Sequence, residues 1–316
     1  MQTIITNQNA PVADSQFAKR MARRVKFYKR IGLFGSLPED MEVTRATDPD
    51  TVWQAWSLVH DCYVDCEYIL PSPTGVRVRG FEAMPEMATF VVRHGRRVVA
   101  VMSVVGDTDP LGLPSDKVYG DAIDSLRNQK RNVCEITNLA VDPEYRNQPV
   151  FSELTQAAFA HARCMGYDDM FISISPDHIP FFGEVLCFDP FGGKRVYDHL
   201  TEDVVVGMRL NISEALERAS QIDQLLGDKA FLADFYFNRN QYVQVVRRWA
   251  VRAVQLFNDP EKLRQLFVDR ACLELMLSRR TLAAVAKRWR PEVFSQVFPN
   301  FGQYVADTSA DTSRVA

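Results

Sequence analysis

The chain has 316 residues, 47% hydrophobic and 24% charged, enough apolar material for one large or two ordinary globular domains. A net charge of −3 and a pI near 6.0 give no overall footprint for nucleic-acid binding. The six cysteines are scattered without zinc-ligand spacing, so they read as free thiols in a reducing compartment and no metal site is expected. Met1 to Ser15 lacks an apolar signal stretch and no run of 18 apolar residues occurs, so the expected location is the cytoplasm.

Residues 1–40 are expected to hold a polar disordered tail and then a basic amphipathic helix over Gln16 to Ile31. There Phe17, Met21, Val25 and Tyr28 fall at helical spacing among Lys19, Arg20, Arg23, Arg24, Lys26, Lys29 and Arg30. This helix is either a solvated surface helix or a functional basic patch. Met41 to Arg45 reads as a strand, and Asp48 or Asp50 caps a helix carrying Trp53, Trp56, Val59 and Tyr63. Ala88 to Arg93 and Arg97 to Val105 form a hairpin through His94-Gly95-Arg96. A short helix around Asp121 to Asn128 precedes a strand over Asn132 to Val141, which Asp142-Pro143 ends. Pro149 opens a helix from Val150 to Met165 and Gly166 closes it. Met170 to Ser175 is a strand, Asp177 caps a short helix through Phe182 and Val185, and Arg195 to Leu200 and Val204 to Ile212 are extended. The order β-α-β-β-(α)-β-α-β-α-β-β predicts an α/β fold, a mixed sheet with helices on its faces, over residues 41–212. From Ser213 the period is helical alone, through Tyr242 to Leu256, Leu263 to Met276 and Leu282 to Trp289. Residues 213–305 are read as a helical C-terminal subdomain and 306–316 as a disordered tail.

The stretch Val133 to Phe151, VCEITNLAVDPEYRNQPVF, is a strand, a turn and a helix start, a place suited to an anionic cofactor arm. Glu135 lies among apolar residues, where a carboxylate pKa rises; it is either a base or a structural acid paired with an arginine. The N–H groups near Asn138, Leu139, Ala140 and Val141 can stabilise an oxyanion if the strand end splays. His178 suits a base, a relay or a carboxylate ligand, or makes only a local hydrogen bond. Phe181, Phe182, Phe188 and Phe191 are core or line an acyl tunnel. Arg146 is a phosphate ligand or a salt-bridge partner of Glu144 or Asp142. Asp65 and Glu67 face an amine or the solvent.

Leu139-Ala140-Val141-Asp142-Pro143-Glu144-Tyr145-Arg146 resembles the strand end of the GNAT acyltransferases, which precedes a glycine loop for the pyrophosphate of coenzyme A. Pro149 and Phe151 stand where two glycines are expected, which impairs that grip. Tyr63-Val64-Asp65-Cys66-Glu67-Tyr68, Gly112-Leu113-Pro114 with Asp121 to Leu126, Cys134 to Val141 and Ser175-Pro176-Asp177-His178-Ile179-Pro180-Phe181-Phe182, followed by Phe188 and Tyr197, more narrowly resemble the FeeM-type N-acyl amino acid synthases, relatives of the acyl-homoserine-lactone synthases. That resemblance implies a GNAT-like core that transfers a long-chain fatty acyl group from acyl carrier protein to the amine of an amino acid, serving lipid signalling. On their own chemistry Glu135 and His178 are the expected catalytic residues. Tyr63, Asp65, Asn138 to Val141, Phe181 and Phe182 would bind substrate, and Arg146 and Phe151 the phosphopantetheine. The implied co-substrate is the acyl-phosphopantetheine of the carrier protein, with acyl-coenzyme A as the alternative, and no permanently bound cofactor. Asn138 replaces the arginine of the lactone synthases' Glu-Leu-Ser-Arg, which argues against lactone chemistry, and Phe182 replaces a usual tyrosine.

Arg23, Arg24 and Lys26 suit contact with an acidic carrier protein, or peripheral contact with anionic lipid at the inner membrane face. Two other readings are a coenzyme A-dependent acetyltransferase and an inactive acyl-binding module.

Overall fold

The computed structural model describes residues 15–146, 148–197, 204–227, 231–272 and 277–301. Residues 1–14 and 306–316, expected as tails, the side chains of Phe17 and Met21, and the strand end expected at Leu200 lie outside these residues.

A helix α1 (Ser15–Arg30) leads into β1 (Met41–Arg45), α2 (Pro49–Asp65), β2 (Ala88–His94), β3 (Arg97–Gly106) and α3 (Asp116–Asn128). There follow β4 (Val133–Val141), α4 (Val150–Met165), β5 (Asp169–Ile174), α5 (Ile179–Glu184), β6 (Asp189–Val196) and β7 (Val204–Asn211). The seven strands form one sheet in the order β1-β2-β3-β4-β5-β7-β6, antiparallel except for β4 and β5. The α/β order is the expected one. Asp48 caps α2 by accepting from the Thr51 N–H at 2.9 Å. Gly166, at φ +75°, ends α4 in the left-handed conformation that glycine adopts without strain.

Beyond the sheet, the helix expected from Tyr242 starts at Val246, and the one expected from Leu263 to Met276 is a short helix ending at Arg264 with a wide turn to Arg270; within the sheet region three boundaries differ. α3 begins at Asp116 and kinks at Tyr119. β6 begins at Asp189, because Pro190, Gly192 and Gly193 read as turn residues yet sit in a bulged edge strand, where both are tolerated. Asp177 does not cap α5: it lies inside a 3-10 turn, Pro176–His178, that precedes it.

Beyond β7 come α6 (Ile212–Leu226), α7 (Val246–Phe257), α8 (Pro260–Arg264), α9 (Arg279–Ala286) and α10 (Pro291–Val297). One apolar cluster joins the sheet to α1, α4, α6 and α7, with Phe159, Phe188, Tyr236 and Trp249 at its centre. On the opposite face Trp56 and Val59 of α2 pack with Phe267, Trp289, Phe294 and Phe298 from the C-terminal helices. A smaller cluster under α3 holds Tyr119, Ile123, Leu126 and Phe171. Among the described residues no helix is long and apolar enough to cross a membrane.

Candidate active site

β4 and β5 pair only at Val133–Asp169, Cys134–Met170 and Glu135–Phe171, although β4 runs on to Val141 and β5 to Ile174. The two strands therefore part beyond Glu135 and leave backbone donors on β4 facing a seam. Asp169 ties the closed end: its buried carboxylate binds Arg131 and, at 2.8 Å, Arg209. At the open end the β3–β4 register shifts between Val101 and Ser103, opposite Asn138, whose φ is +53°. Asparagine tolerates that conformation better than most residues.

Residues alternate across a strand, so Glu135 faces the side that carries α2 and α3. It sits between their two apolar clusters, in a group of polar side chains. Its carboxylate is buried and accepts from the Ser115 N–H at 2.9 Å and the Ser115 Oγ at 2.7 Å. Burial pushes its pKa up to about 7, against the pull of the two Ser115 hydrogen bonds and the charge of Arg79. Asn138 is held by the same group. Its Oδ1 accepts from Arg77 Nη1 at 2.6 Å and Arg79 Nη2 at 3.2 Å, and its Nδ2 donates to Glu82 Oε1 at 3.0 Å.

Arg79 also pairs with Glu82 at 2.8 Å. Burial raises the Glu82 pKa, but Arg79 and Arg77 outweigh it and hold the carboxyl below its usual range. Arg77 has no carboxylate within ion-pair distance among the described residues; its guanidinium lies 5.0 Å from the Tyr63 ring. Burial raises the Tyr63 pKa, with Arg77 and Arg79 opposing. Tyr197 completes the group. Burial and then Glu135 raise its phenol, and Lys117 Nζ stands 4.0 Å over its ring. No motif in the sequence points to Arg77, Arg79, Glu82, Ser115 or Ser173, and Tyr197 enters there only through the family resemblance, without a role. The alternation Val76-Arg77-Val78-Arg79, with both valines buried, was the available signal for the arginines.

The other side of the seam is apolar. Leu139, Val141, Phe151, Ile179 and Phe181 pack half-buried at the rim of the main core. Phe181 meets the rings of Tyr28, Phe151 and Phe182 at centroid distances of 4.8, 5.4 and 5.7 Å. Phe182 and Phe188 are buried core, Phe191 packs at the edge of the cluster under α3, and Ala140 packs with the α2 cluster.

At the start of α4 the Glu153 N–H is bonded to Pro149 O, and the amides of Val150, Phe151 and Ser152 precede it. Such first-turn amides, together with the helix dipole, suit one phosphate. Asp142 and Glu144 both bind Arg97, so Arg146 is exposed and makes no ion pair among the described residues. The loop after α1 touches this helix start: Ser152 Oγ donates to Leu33 O, and Pro149 lies against Gly35. On α1, Arg23 and Lys26 are exposed, whereas Arg24 binds Glu184 at 2.6 Å. Asp65 and Glu67 are exposed, and so is His178, which no hydrogen bond joins to the Glu135 group. Among the described residues no cluster of His, Cys, Asp or Glu could hold a metal ion.

The family model of the N-acyl amino acid synthase FeeM matches residues 54–211, half of the chain. The chain belongs to the FeeM family of N-acyl amino acid synthases. The structure of FeeM, an N-acyl amino acid synthase from uncultured soil microbes, superposes with a TM-score of 0.50 at 20% identity, over 56% of this chain and 93% of that one. BjaI, a coenzyme A-dependent acyl-homoserine lactone synthase, gives a TM-score of 0.44 at 18% identity, over 58% and 86% of the two chains. No curated protein matches. The family makes this chain an N-acyltransferase, built on the mixed α/β sheet described above. The matched span ends at the last residue of β7, so α6 to α10 are additions to it.

Proposed function

We propose that this FeeM-family enzyme joins a long-chain fatty acyl group, carried on the phosphopantetheine of acyl carrier protein, to the α-amine of an amino acid. The observation that carries this reading is a seam with unlike sides: aromatic and aliphatic on one, and on the other a buried carboxyl and an arginine, Arg77, that pairs with no carboxylate among the described residues.

The donor arm enters at the start of α4. Its single phosphate meets the first-turn amides and Arg146, and Pro149 and Phe151 leave no glycine cradle for a pyrophosphate. The acyl chain lies along Leu139, Val141, Phe151 and Phe181, which cover it from water, while Phe182, expected as an acyl contact, backs Phe181 from the core. On the opposite side the carboxylate of the acceptor amino acid pairs with Arg77, which brings the amine beside the Glu135 group. An ammonium is no nucleophile, so Glu135 takes its proton. The freed lone pair attacks the thioester carbonyl; a C–N bond forms and the oxygen becomes an oxyanion, which β4 amides in the parted stretch stabilise. Collapse breaks the C–S bond, the thiolate takes up a proton, and the nitrogen gives up its second to leave an amide. Tyr63 and Asn138 shape the acceptor side, and the helices beyond β7 brace it. Exposed Arg23 and Lys26 on α1 border the donor entrance and attract the acidic carrier protein. A carrier-protein donor places the reaction in the cytoplasm.

The test supplies the purified enzyme with long-chain acyl carrier protein, the matching coenzyme A thioester and a mixture of amino acids, and identifies products by mass spectrometry. The reading expects an N-acyl amino acid from the carrier-protein donor at a higher kcat/KM than from coenzyme A. Turnover from coenzyme A thioesters alone rejects the carrier protein, and no acylation from either donor rejects the reading.

A further inference from the structure

The carboxylate of Glu135 does not open directly onto the seam. Both oxygens are occupied by one residue: the Ser115 N–H donates to Oε2 at 2.9 Å and the Ser115 hydroxyl to Oε1 at 2.7 Å. Ser115 is buried, and its Oγ lies 2.7 Å from Ser173 Oγ. Ser173 stands on β5 two residues past the last β4–β5 pair, on the same face as Glu135, and is half-buried where its two partners are buried. The three groups form a chain that begins at a buried carboxylate and ends at the parted stretch of the seam.

A serine hydroxyl donates one proton and accepts through two lone pairs. The Ser115 proton is committed to the carboxylate, so the Ser115–Ser173 hydrogen bond runs from Ser173 to Ser115. Ser173 then presents lone pairs, and no proton, to whatever occupies the gap. An ammonium needs such a partner.

We infer that Ser173 accepts the proton of the acceptor amine and that Ser115 hands it on to Glu135. The inference rests on the reading of Glu135 as the base in the proposed function. An N–H bond of the ammonium breaks as an O–H bond to Ser173 forms, and the nitrogen keeps the electron pair. The proton Ser173 held moves to Ser115 Oγ, and the one Ser115 held moves to Glu135 Oε1. The ammonium becomes a neutral amine, the carboxylate a neutral acid, and both serines end uncharged. The charges that act on Glu135 are Arg79, which favours its ionised form, and Asp116, which opposes it; the Tyr197 phenol and the Cys134 thiol are the titratable groups that feel its charge. Within this relay Ser173 is the catalytic residue that touches the substrate, and Ser115 is a positioning residue, because it acts only through its neighbours.

The test compares Ser173→Ala, Ser173→Thr, Ser115→Ala and Glu135→Gln, with kcat and KM for both substrates measured across pH. Ser173→Ala is expected to lower kcat roughly tenfold to a hundredfold with little change in either KM. Ser173→Thr, which keeps the hydroxyl, should recover most of that loss. Ser115→Ala removes a hydrogen bond that favours the ionised carboxylate, so it should also shift the acidic limb of the kcat profile to higher pH, whereas Ser173→Ala should leave that limb in place. The wild-type enzyme alone should give a curved proton inventory in mixed H2O and D2O, which reads the relay even where a variant fails to fold. A Ser173→Ala enzyme with near-normal kcat, or a linear proton inventory, overturns the relay. If Glu135→Gln is inactive in that case, the base reading still stands. If Glu135→Gln is itself near normal, both fall.

Discussion

The carboxyl of Glu135 is the group on which pH should act most visibly. Its pKa is about 7 in the folded chain and lies in the ordinary carboxylate range when unfolded, so the folded state holds the proton more tightly between those two values. Its contribution to stability is therefore largest at low pH and declines as pH rises through that window; above pH 7 the buried charge costs roughly 3 kcal/mol. Glu135→Gln cannot ionise, so its melting temperature should gain on the wild type between pH 5 and pH 8, as paired thermal melts would show. The same titration predicts that wild-type kcat rises with pH and levels off above about 7, and that Glu135→Gln lowers it by roughly a hundredfold or more. Arg77 gives a second test at this scale. Arg77→Ala should raise KM for the amino acid roughly tenfold or more, the value of a charge-assisted hydrogen bond. It should leave an acceptor amine without a carboxylate unaffected. Equal losses for both acceptors would show that Arg77 only supports Asn138.

At the scale of elements, the seam depends on the bulge at Asn138. The side chain is tied to two arginines and Glu82, and the backbone is left-handed. Asn138→Ala loses both accommodations, while Asn138→Gly loses only the hydrogen bonds; the alanine variant should melt lower, by a difference worth roughly 1 kcal/mol. On α1, Arg23→Glu with Lys26→Glu should lower kcat/KM for the carrier-protein donor at low salt and leave a free pantetheine thioester untouched. The alternation of strand and helix was legible because turn residues and periodicity are local signals. α4 was read to its ends, since Pro149 and Gly166 stand at either end of its apolar period. The sequence places β6 six residues late, at Arg195 instead of Asp189, because residues that usually break a strand lie within its bulge. In the C-terminal half, α10 (Pro291–Val297) and the wide helical turn Asp234–Asn238 were missed. Aromatic residues on several sides of that turn leave no single apolar stripe to detect. Glu135 stood out because a lone acid in an apolar strand is conspicuous in one dimension. Its partners did not: Ser115 reaches Glu135 across 20 residues, Ser173 reaches Ser115 across 58 and Arg77 reaches Asn138 across 61, and periodicity predicts a face but not a neighbour.

At the scale of the molecule, the sheet has two aromatic cores, and the acceptor side of the seam leans on the one built from the C-terminal helices. Trp289 packs edge-on or tilted among Phe257, Phe267, Phe294 and Phe298, and its indole N–H donates at 2.6 Å to the O of Ala83, the last residue of the turn that carries Glu82. Trp289→Ala should cost roughly 3 to 5 kcal/mol and should raise KM for the acceptor more than for the donor. Gly80, between Arg79 and Glu82, lies so close to the Thr281 methyl of α9 that any side chain at position 80 would overlap it. Loop and helix are thus cut to a common shape. A chimera that receives the arginine loop of another synthase, but keeps this chain's tail, should fold badly or bind its amino acid poorly. Moving loop and helices together should carry the preference of the donor enzyme with them.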